Sequence, residues 1–198
     1  MPELSSTYNY DTFRKSHFYL INQQIILNTY NEIKPTLIFL TVTGRIGSFK
    51  NEDILKSMFV KFYYHMARML ITNPTRQSKR YLLPFTIYYL DDSSTRDRSK
   101  KANYLYENPS ITNHIHSIMV IHPLLSDKLT ALENLEMAWK NLSPKTNATL
   151  KYKVLDIEDK DALESFLNIE RVTGYSSKLI RRKGYFAEDM FDVLPNYK

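Results

Sequence analysis

Residues 111–122 read ITNHIHSIMVIH, and this stretch decides the fold. It is short, apolar and rich in β-branched residues, and Pro123 ends it, so it predicts a strand in the middle of a sheet. The run YLLPFTIYYL at 81–90 predicts a second strand, with Pro84 near its start or at a sheet edge. The charged segment 91–101 lies between these runs, and a long-tipped antiparallel hairpin is the simplest connection.

The elements outside this hairpin predict an α+β fold. TLIFLTVT at 36–43 is apolar and β-branched, as in a buried strand, and LKYKVLDI at 150–157 alternates like a half-buried one. Apolar residues at helical spacing and helix-ending Pro or Gly residues predict four helices, at 51–71, 126–142, about 161–172 and 175–182. Without the short last helix, the order is β, α, β, β, α, β, α, which predicts an antiparallel sheet with packed helices, close to the ferredoxin-like arrangement.

Composition restricts the class of protein. The chain has 198 residues, 43% hydrophobic and 24% charged, and is expected to form one globular domain over 1–198. Because it contains no cysteine, disulfides and thiol nucleophiles are excluded, and a metal must be held by histidines and carboxylates. No apolar run approaches the roughly 20 residues of a membrane span, and no signal segment is present, so we expect a cytoplasmic protein with no membrane partner. The net charge of +6 favours a polyanionic partner.

Two histidines of the central strand form a candidate metal site. His114 and His116 are two residues apart, share a face of the strand and lie about 6 to 7 Å apart along it, so both can reach one divalent ion. His122 shares their parity but lies on the order of 20 Å from His116, too far for the same ion. An acidic third ligand is needed, and we take Asp92, with Asp91 and Glu107 as the alternatives.

Basic and phenolic side chains supply the remaining candidates. Tyr175-Ser-Ser-Lys178 opens the last predicted helix, and the three-residue offset puts Tyr175 and Lys178 on one face. Lys178 can favour the phenolate that a tyrosine nucleophile requires, or hold a phosphate. Two cationic clusters are candidate contacts for a nucleic-acid backbone: Arg96, Arg98, Lys100 and Lys101 in the hairpin loop, and Arg181, Arg182 and Lys183 after Lys178.

Three of these segments, in order along the chain, resemble the motifs of the HUH endonuclease superfamily. The Phe39–Thr43 segment FLTVT resembles its first motif, His114-Ile115-His116 its histidine motif, and Tyr175 to Lys178 its tyrosine helix. The resemblance is to the rolling-circle replication initiator (Rep) type with a single catalytic tyrosine. It implies a five-stranded antiparallel sheet, with histidines and a carboxylate holding Mg²⁺ or Mn²⁺. The fifth strand is then expected among residues 16–28.

The resemblance also implies an activity. A Rep-type protein nicks and rejoins single-stranded or hairpin origin DNA, and its tyrosine, here Tyr175, becomes linked to a 5′-phosphate while a 3′-hydroxyl is freed for synthesis. No Gly-x-x-x-x-Gly-Lys-Ser/Thr motif occurs in this chain, so we expect no fused helicase and a host helicase or polymerase as partner.

Other interpretations stay open. A single-tyrosine transposase of the insertion-sequence type would suit Asn113, but its tyrosine helix carries Gln where this chain has Lys178, and in relaxases the tyrosine generally precedes the histidines. A non-catalytic basic DNA-binding module is the alternative from another class. Tyr185 is the competing nucleophile.

Overall fold

The structure is a computed structural model, and it describes residues 10–44, 52–92, 113–125, 128–142, 148–155, 169–174 and 191–195. The elements in chain order are α1 (Tyr10–Leu27), β1 (Thr36–Gly44), α2 (Glu52–Leu70), a 3₁₀ helix (Gln77–Leu82), β2 (Phe85–Asp92), β3 (Asn113–Ile121), α3 (Lys128–Leu142), β4 (Ala148–Leu155) and β5 (Phe191–Leu194). Residues 169–174 are also helical.

All five strands belong to one antiparallel sheet, in the order β4-β1-β3-β2-β5. The first four strands, with α2 and α3 between them in the chain, give the βαββαβ order of a split arrangement. The predicted α+β class, the antiparallel sheet of about five strands and the β2–β3 pairing are therefore confirmed.

Helices cover the two faces of the sheet unequally. On the α2–α3 face, Phe59 of α2 packs on Tyr88 with ring centroids 4.9 Å apart, and Phe62 meets Trp139 of α3 at 5.6 Å. On the opposite face, which we call the α1 face, His17 of α1 contacts Tyr89 of β2. Since side chains alternate along a strand, Tyr88 and Tyr89 belong to opposite faces, and the core of the protein includes residues on both.

The predicted strand at 81–90 begins later than expected. Residues Gln77–Leu82 form a 3₁₀ helix, and β2 starts at Phe85, directly after Pro84. The Tyr63 hydroxyl donates a hydrogen bond to the Pro84 carbonyl at 2.8 Å, which ties the start of β2 to α2. Pro84 has no N–H to give to a ladder, and this accounts for a strand that starts after it.

The expected position of the fifth strand is wrong. Residues 16–28 lie almost entirely within α1, and β5 is the four-residue strand Phe191–Leu194 on the free edge of β2. Phe18 and Ile21 are buried at helical spacing, whereas Tyr19, Ile26 and Leu27 are exposed. Because apolar residues occupy both sides of α1, its sequence lacks the clean helical period that would have identified it.

The remaining predicted helices agree with the structure as far as it describes them. The helix at 51–71 is α2 and the helix at 126–142 is α3, with ends shifted by one or two residues. The helix predicted at 161–172 is described only from residue 169, and the helix at 175–182 lies outside the described residues. In the described part of the chain, no helix combines the length and apolarity that crossing a membrane requires.

The sheet core can be tested with two leucines that differ in burial. Leu40 of β1 is fully buried, so Leu40→Ala is expected to lower the free energy of unfolding by about 2–5 kcal/mol. Leu27 is 69% exposed, and Leu27→Ala is expected to change it by less than about 0.5 kcal/mol. Urea unfolding followed by circular dichroism measures both values, and equal losses would contradict the assigned core.

Candidate metal centre

The register between β2 and β3 brings three metal-ligating side chains together. Asp91 lies directly opposite His114, and Tyr89 lies directly opposite His116. Cross-strand partners share a face, and so do residues two apart on one strand. Asp91, His114 and His116 therefore share the α1 face of the sheet, at the end where β2 finishes and β3 begins.

The donor atoms of these residues, which we call the Asp–His–His group, converge closely. Asp91 Oδ2 lies 3.1 Å from His114 Nε2 and 3.4 Å from His116 Nε2. One ligand atom from each residue lies within 4.8 Å of the others. Asp91 and His116 are buried, whereas the His114 side chain is 15% exposed, so the group reaches solvent on the His114 side.

The donor set fits a divalent ion. Two ligands that bind one ion at about 2.0–2.2 Å and at a right angle lie about 3 Å apart, close to the spacings from Asp91 Oδ2 to the two imidazoles. Three protein ligands also leave further positions for water or substrate. Imidazole and carboxylate donors together suit several divalent ions, among them Mn²⁺, Zn²⁺ and Fe²⁺. The group can therefore hold a metal ion.

A second layer of contacts holds His116 in place. Thr41 of β1 is the cross-strand partner of His116, and its Oγ1 lies 3.1 Å from His116 Nδ1. The Phe39 ring stacks on the His116 ring, with centroids 5.6 Å apart and an interplanar angle of 18°. With Nε2 as the ligand atom, Nδ1 carries the proton and donates to Thr41 Oγ1, which fixes the tautomer.

The contacts of Phe39 and Thr41 with His116 were not predicted from the sequence, where both residues belong to a strand and to the segment that resembles the first HUH motif. The alternation along FLTVT already shows that residues 39, 41 and 43 share one face of β1. Without the β1–β3 register, that face could not be related to the histidines.

In the structure, the acid next to the two histidines is Asp91, which the sequence analysis gave as an alternative to the preferred Asp92. Among the described side chains, Asp91 meets both histidines, whereas Asp92 is the register partner of Asn113. A shift of one residue along a strand reverses the face, so the choice between neighbouring aspartates depends on the register. Glu107, the other alternative, lies outside the described residues.

His122 lies at the far end of β3 and takes no part in this group, as the strand geometry predicts. Its Nδ1 accepts a hydrogen bond from the Leu124 N–H at 3.0 Å, and its ring lies 6.1 Å from the Tyr30 ring and 6.3 Å from the Tyr81 ring. Burial lowers its pKa, so a neutral ring with a structural role suits the site.

Helix α1 is fastened to the sheet beside the Asp–His–His group. His17 Nδ1 and the buried Tyr89 hydroxyl are hydrogen-bonded at 2.9 Å, and the His17 ring meets the Phe191 ring edge-on at 4.5 Å. Burial lowers the pKa of His17 from 6.5 to about 4, so the ring is neutral at physiological pH and its Nδ1 can accept. Tyr89 is the register partner of His116, and α1 therefore contacts the sheet one position from a site residue.

The helical residues 169–174 pack against the N-terminal part of α1. Arg14 Nη2 lies 3.4 Å from Glu170 Oε1, and a Cβ at Gly174 would lie 3.4 Å from Arg14 Cδ. Tyr30, which follows α1 in the chain, contacts His122 at the end of β3 that is far from the Asp–His–His group. The C-terminal end of α1 is therefore directed away from this group, and Arg14, near its N-terminal end, lies closer to it. Gly174 thus lies at the same end of the sheet as the Asp–His–His group.

The other candidate residues lie outside the described part of the chain. They are Tyr175, Lys178, Tyr185, the hairpin cluster Arg96, Arg98, Lys100 and Lys101, and the cluster Arg181, Arg182 and Lys183.

Comparison with known proteins identifies no relative. No protein-family model matches the chain, and no curated protein and no solved structure matches it. What the site can do is therefore inferred from its own residues and contacts.

The choice of acid can be tested with the neighbouring aspartates. Asp91→Asn, His114→Ala and His116→Ala are each expected to weaken Mn²⁺ binding at least about 10-fold, because each removes one of three ligands. Asp92→Asn and His122→Ala are expected to bind Mn²⁺ like the wild type. Isothermal titration calorimetry measures the affinities. Loss on Asp92→Asn with no loss on Asp91→Asn would contradict the site.

The burial of neutral His17 predicts a loss of stability in acid. Its folded pKa of about 4 lies below the unfolded value of 6.5, so the unfolded chain binds the extra proton and stability falls as pH drops from about 6.5 toward 4. Between pH 8 and pH 5 this amounts to about 2 kcal/mol, and His17→Gln is expected to remove that part of the pH dependence. Urea unfolding at both pH values measures it, and the same pH dependence in His17→Gln would contradict the assignment.

Proposed function

We propose that this protein is a metal-dependent DNA-nicking and joining enzyme of the HUH type, which initiates rolling-circle replication through a 5′-phosphotyrosine at Tyr175. The observation that carries the proposal is the Asp–His–His group, buried on one face of an antiparallel sheet. A His-hydrophobic-His strand supplies two of its ligands. Mg²⁺ or Mn²⁺ is the proposed cofactor.

The proposed chemistry is divided between a metal ion held by residues of the sheet and a tyrosine nucleophile. A divalent ion held by Asp91, His114 and His116 would neutralise negative charge that develops on the scissile phosphate in the transition state. The Tyr175 oxygen loses its proton and attacks the phosphorus, the bond from phosphorus to the 3′-oxygen breaks, and that oxygen leaves as a 3′-hydroxyl after taking up a proton. Attack of a 3′-hydroxyl on the phosphotyrosine reverses the step and joins the strand.

The position of Gly174 supports this division. Tyr175 is bonded to Gly174 in the chain, and Gly174 lies against Arg14 at the site end of α1. Three residues after Arg14, His17 bonds to Tyr89, the register partner of His116. The rise along three helical residues is only about 4.5 Å. The residue that precedes Tyr175 in the chain therefore lies at the same end of the sheet as the metal ligands.

Cationic side chains next to the site support a DNA substrate. Lys151 and Lys153 of β4 are exposed, and they are the cross-strand partners of Thr41 and Phe39, the two residues that contact His116. They share the α1 face with the Asp–His–His group, so positive charge lies across β1 from the site. A strand of DNA with its phosphate on the metal ligands can place neighbouring phosphates on these lysines.

The proposal is tested by trapping the covalent product. A single-stranded DNA library with a random core and a 3′-terminal label is incubated with the protein and Mn²⁺, then separated under denaturing conditions. A 3′ label stays with the strand that Tyr175 captures, so the wild type is expected to give a labelled protein band. Tyr175→Phe is expected to give none while binding DNA normally, because only the nucleophilic oxygen is lost. Tyr185→Phe, the matched control, is expected to retain the band.

Further arms separate nicking from simple DNA binding. EDTA is expected to abolish the adduct because it removes the metal, and Asp91→Asn is expected to reduce it strongly because it removes one metal ligand. A band that survives in Tyr175→Phe but not in Tyr185→Phe would assign the nucleophile to Tyr185. DNA binding without any adduct, at every metal tried, would contradict the proposed enzyme and favour a non-catalytic DNA-binding module.

A further inference from the structure

A small cavity opens beside the N-terminal half of α1. It has a volume of about 180 Å³ and is lined by Arg14, Lys15, Phe18, Tyr19 and Glu170. Pairs of these residues four apart in the chain, Arg14 with Phe18 and Lys15 with Tyr19, lie on neighbouring stripes of the helix. In each pair, a cationic side chain is followed by an aromatic ring one helical turn further along α1.

The aromatic part of the cavity has one fixed ring and one accessible ring. Phe18 is buried, with 5% of its surface exposed, and its ring meets the Tyr19 ring edge-on at a centroid distance of 5.9 Å. Tyr19 is 68% exposed. An exposed tyrosine supported by a buried phenylalanine is a ready surface for a flat ring to stack on.

The polar part of the cavity combines two cationic side chains with one carboxylate. Arg14 is held between Glu170, at 3.4 Å, and Gly174, and its Nε is buried without a hydrogen-bond acceptor among the described residues. Lys15 is exposed and can reach a phosphate in solution. The Glu170 carboxylate can accept hydrogen bonds from the amino or imino groups of a base.

We propose that this cavity binds one unpaired nucleotide of the DNA strand, with its base stacked on Tyr19 and its phosphate on Lys15. The inference deepens the proposed function, because Arg14 and Glu170 join the cavity to the residues that lead into Tyr175. The volume is below the roughly 300–1,000 Å³ of a drug-sized pocket, so one base fits and a base pair does not. A base must leave a duplex before it can stack there, which makes the site selective for single strands.

The test measures DNA binding separately from cleavage. Binding of a fluorescein-labelled 12-nucleotide oligothymidylate, and of a 12-base-pair duplex, is followed by fluorescence anisotropy in the Tyr175→Phe background. Tyr19→Ala is expected to weaken binding of the single strand about 5- to 100-fold, with little effect on the duplex. Tyr19→Phe, which retains the ring, is expected to bind like the parent. The matched control is Tyr81→Ala, because Tyr81 is 65% exposed at the other end of the sheet.

Salt dependence tests the phosphate contact. Lys15→Ala is expected to reduce the slope of log affinity against log salt by about 0.7, the value for one phosphate contact on a single strand. Lys61→Ala, at an exposed lysine of α2, is expected to leave the slope unchanged. A structural role for Lys15 would not alter the slope.

The outcomes separate this inference from the proposed function. Unchanged single-strand affinity in Tyr19→Ala, an equal loss for the duplex, or no binding of the oligothymidylate by the parent would overturn the nucleotide site. If the wild type forms no covalent adduct but the Tyr19 and Lys15 effects hold, the proposed nicking activity fails and the nucleotide site stands. If the adduct forms and the Tyr19→Ala affinity is unchanged, only the nucleotide site fails.

Discussion

The antiparallel register of β2 against β3 determines where the candidate metal centre of this protein lies. It sets Asp91 opposite His114 and puts His116 on the same face, with no loop needed to bring them together. A slip of one residue would move Asp91 to the other face and bury it among the side chains that pack on α2 and α3. The apolar residues that fill both faces of these strands, such as Ile87 and Ile118 on one and Leu90 on the other, oppose such a slip.

The rest of the fold completes this site by covering part of the sheet and leaving part open. Helix α1 covers β2 and β5 through the contacts of His17 with Tyr89 and Phe191. The β4 edge of the same face keeps Lys151 and Lys153 exposed. The Asp–His–His group thus lies between a packed region, which holds its geometry, and a charged region that a polyanion can approach. Such a partly covered sheet suits a long flexible substrate better than an enclosed pocket would.

The fold was largely predictable because its central elements have strong local signals. The β-branched run at 36–43 and the histidine strand at 111–122 both form strands close to their predicted ends. The fifth strand was not predictable, since Phe191–Leu194 is too short for a pattern and its pairing with β2 is a long-range contact. The fifth strand was expected within α1 because the apolar residues of this helix lie on both of its sides. Its sequence therefore shows no single apolar stripe at helical spacing.

The site was predictable as residue types but not as a geometry. His114 and His116 follow from the spacing of a strand. The choice among Asp91, Asp92 and Glu107, however, depends on which residue of β2 pairs with His114, and the sequence alone does not contain that register.

The measurement that decides whether Asp91, His114 and His116 form a metal centre is anomalous diffraction at the manganese edge from crystals of the full chain grown with Mn²⁺. We predict one anomalous peak about 2.0–2.4 Å from a carboxylate oxygen of Asp91 and from both Nε2 atoms. Saturating Mn²⁺ with no peak there, and with Asp91 still hydrogen-bonded to His114, would contradict it.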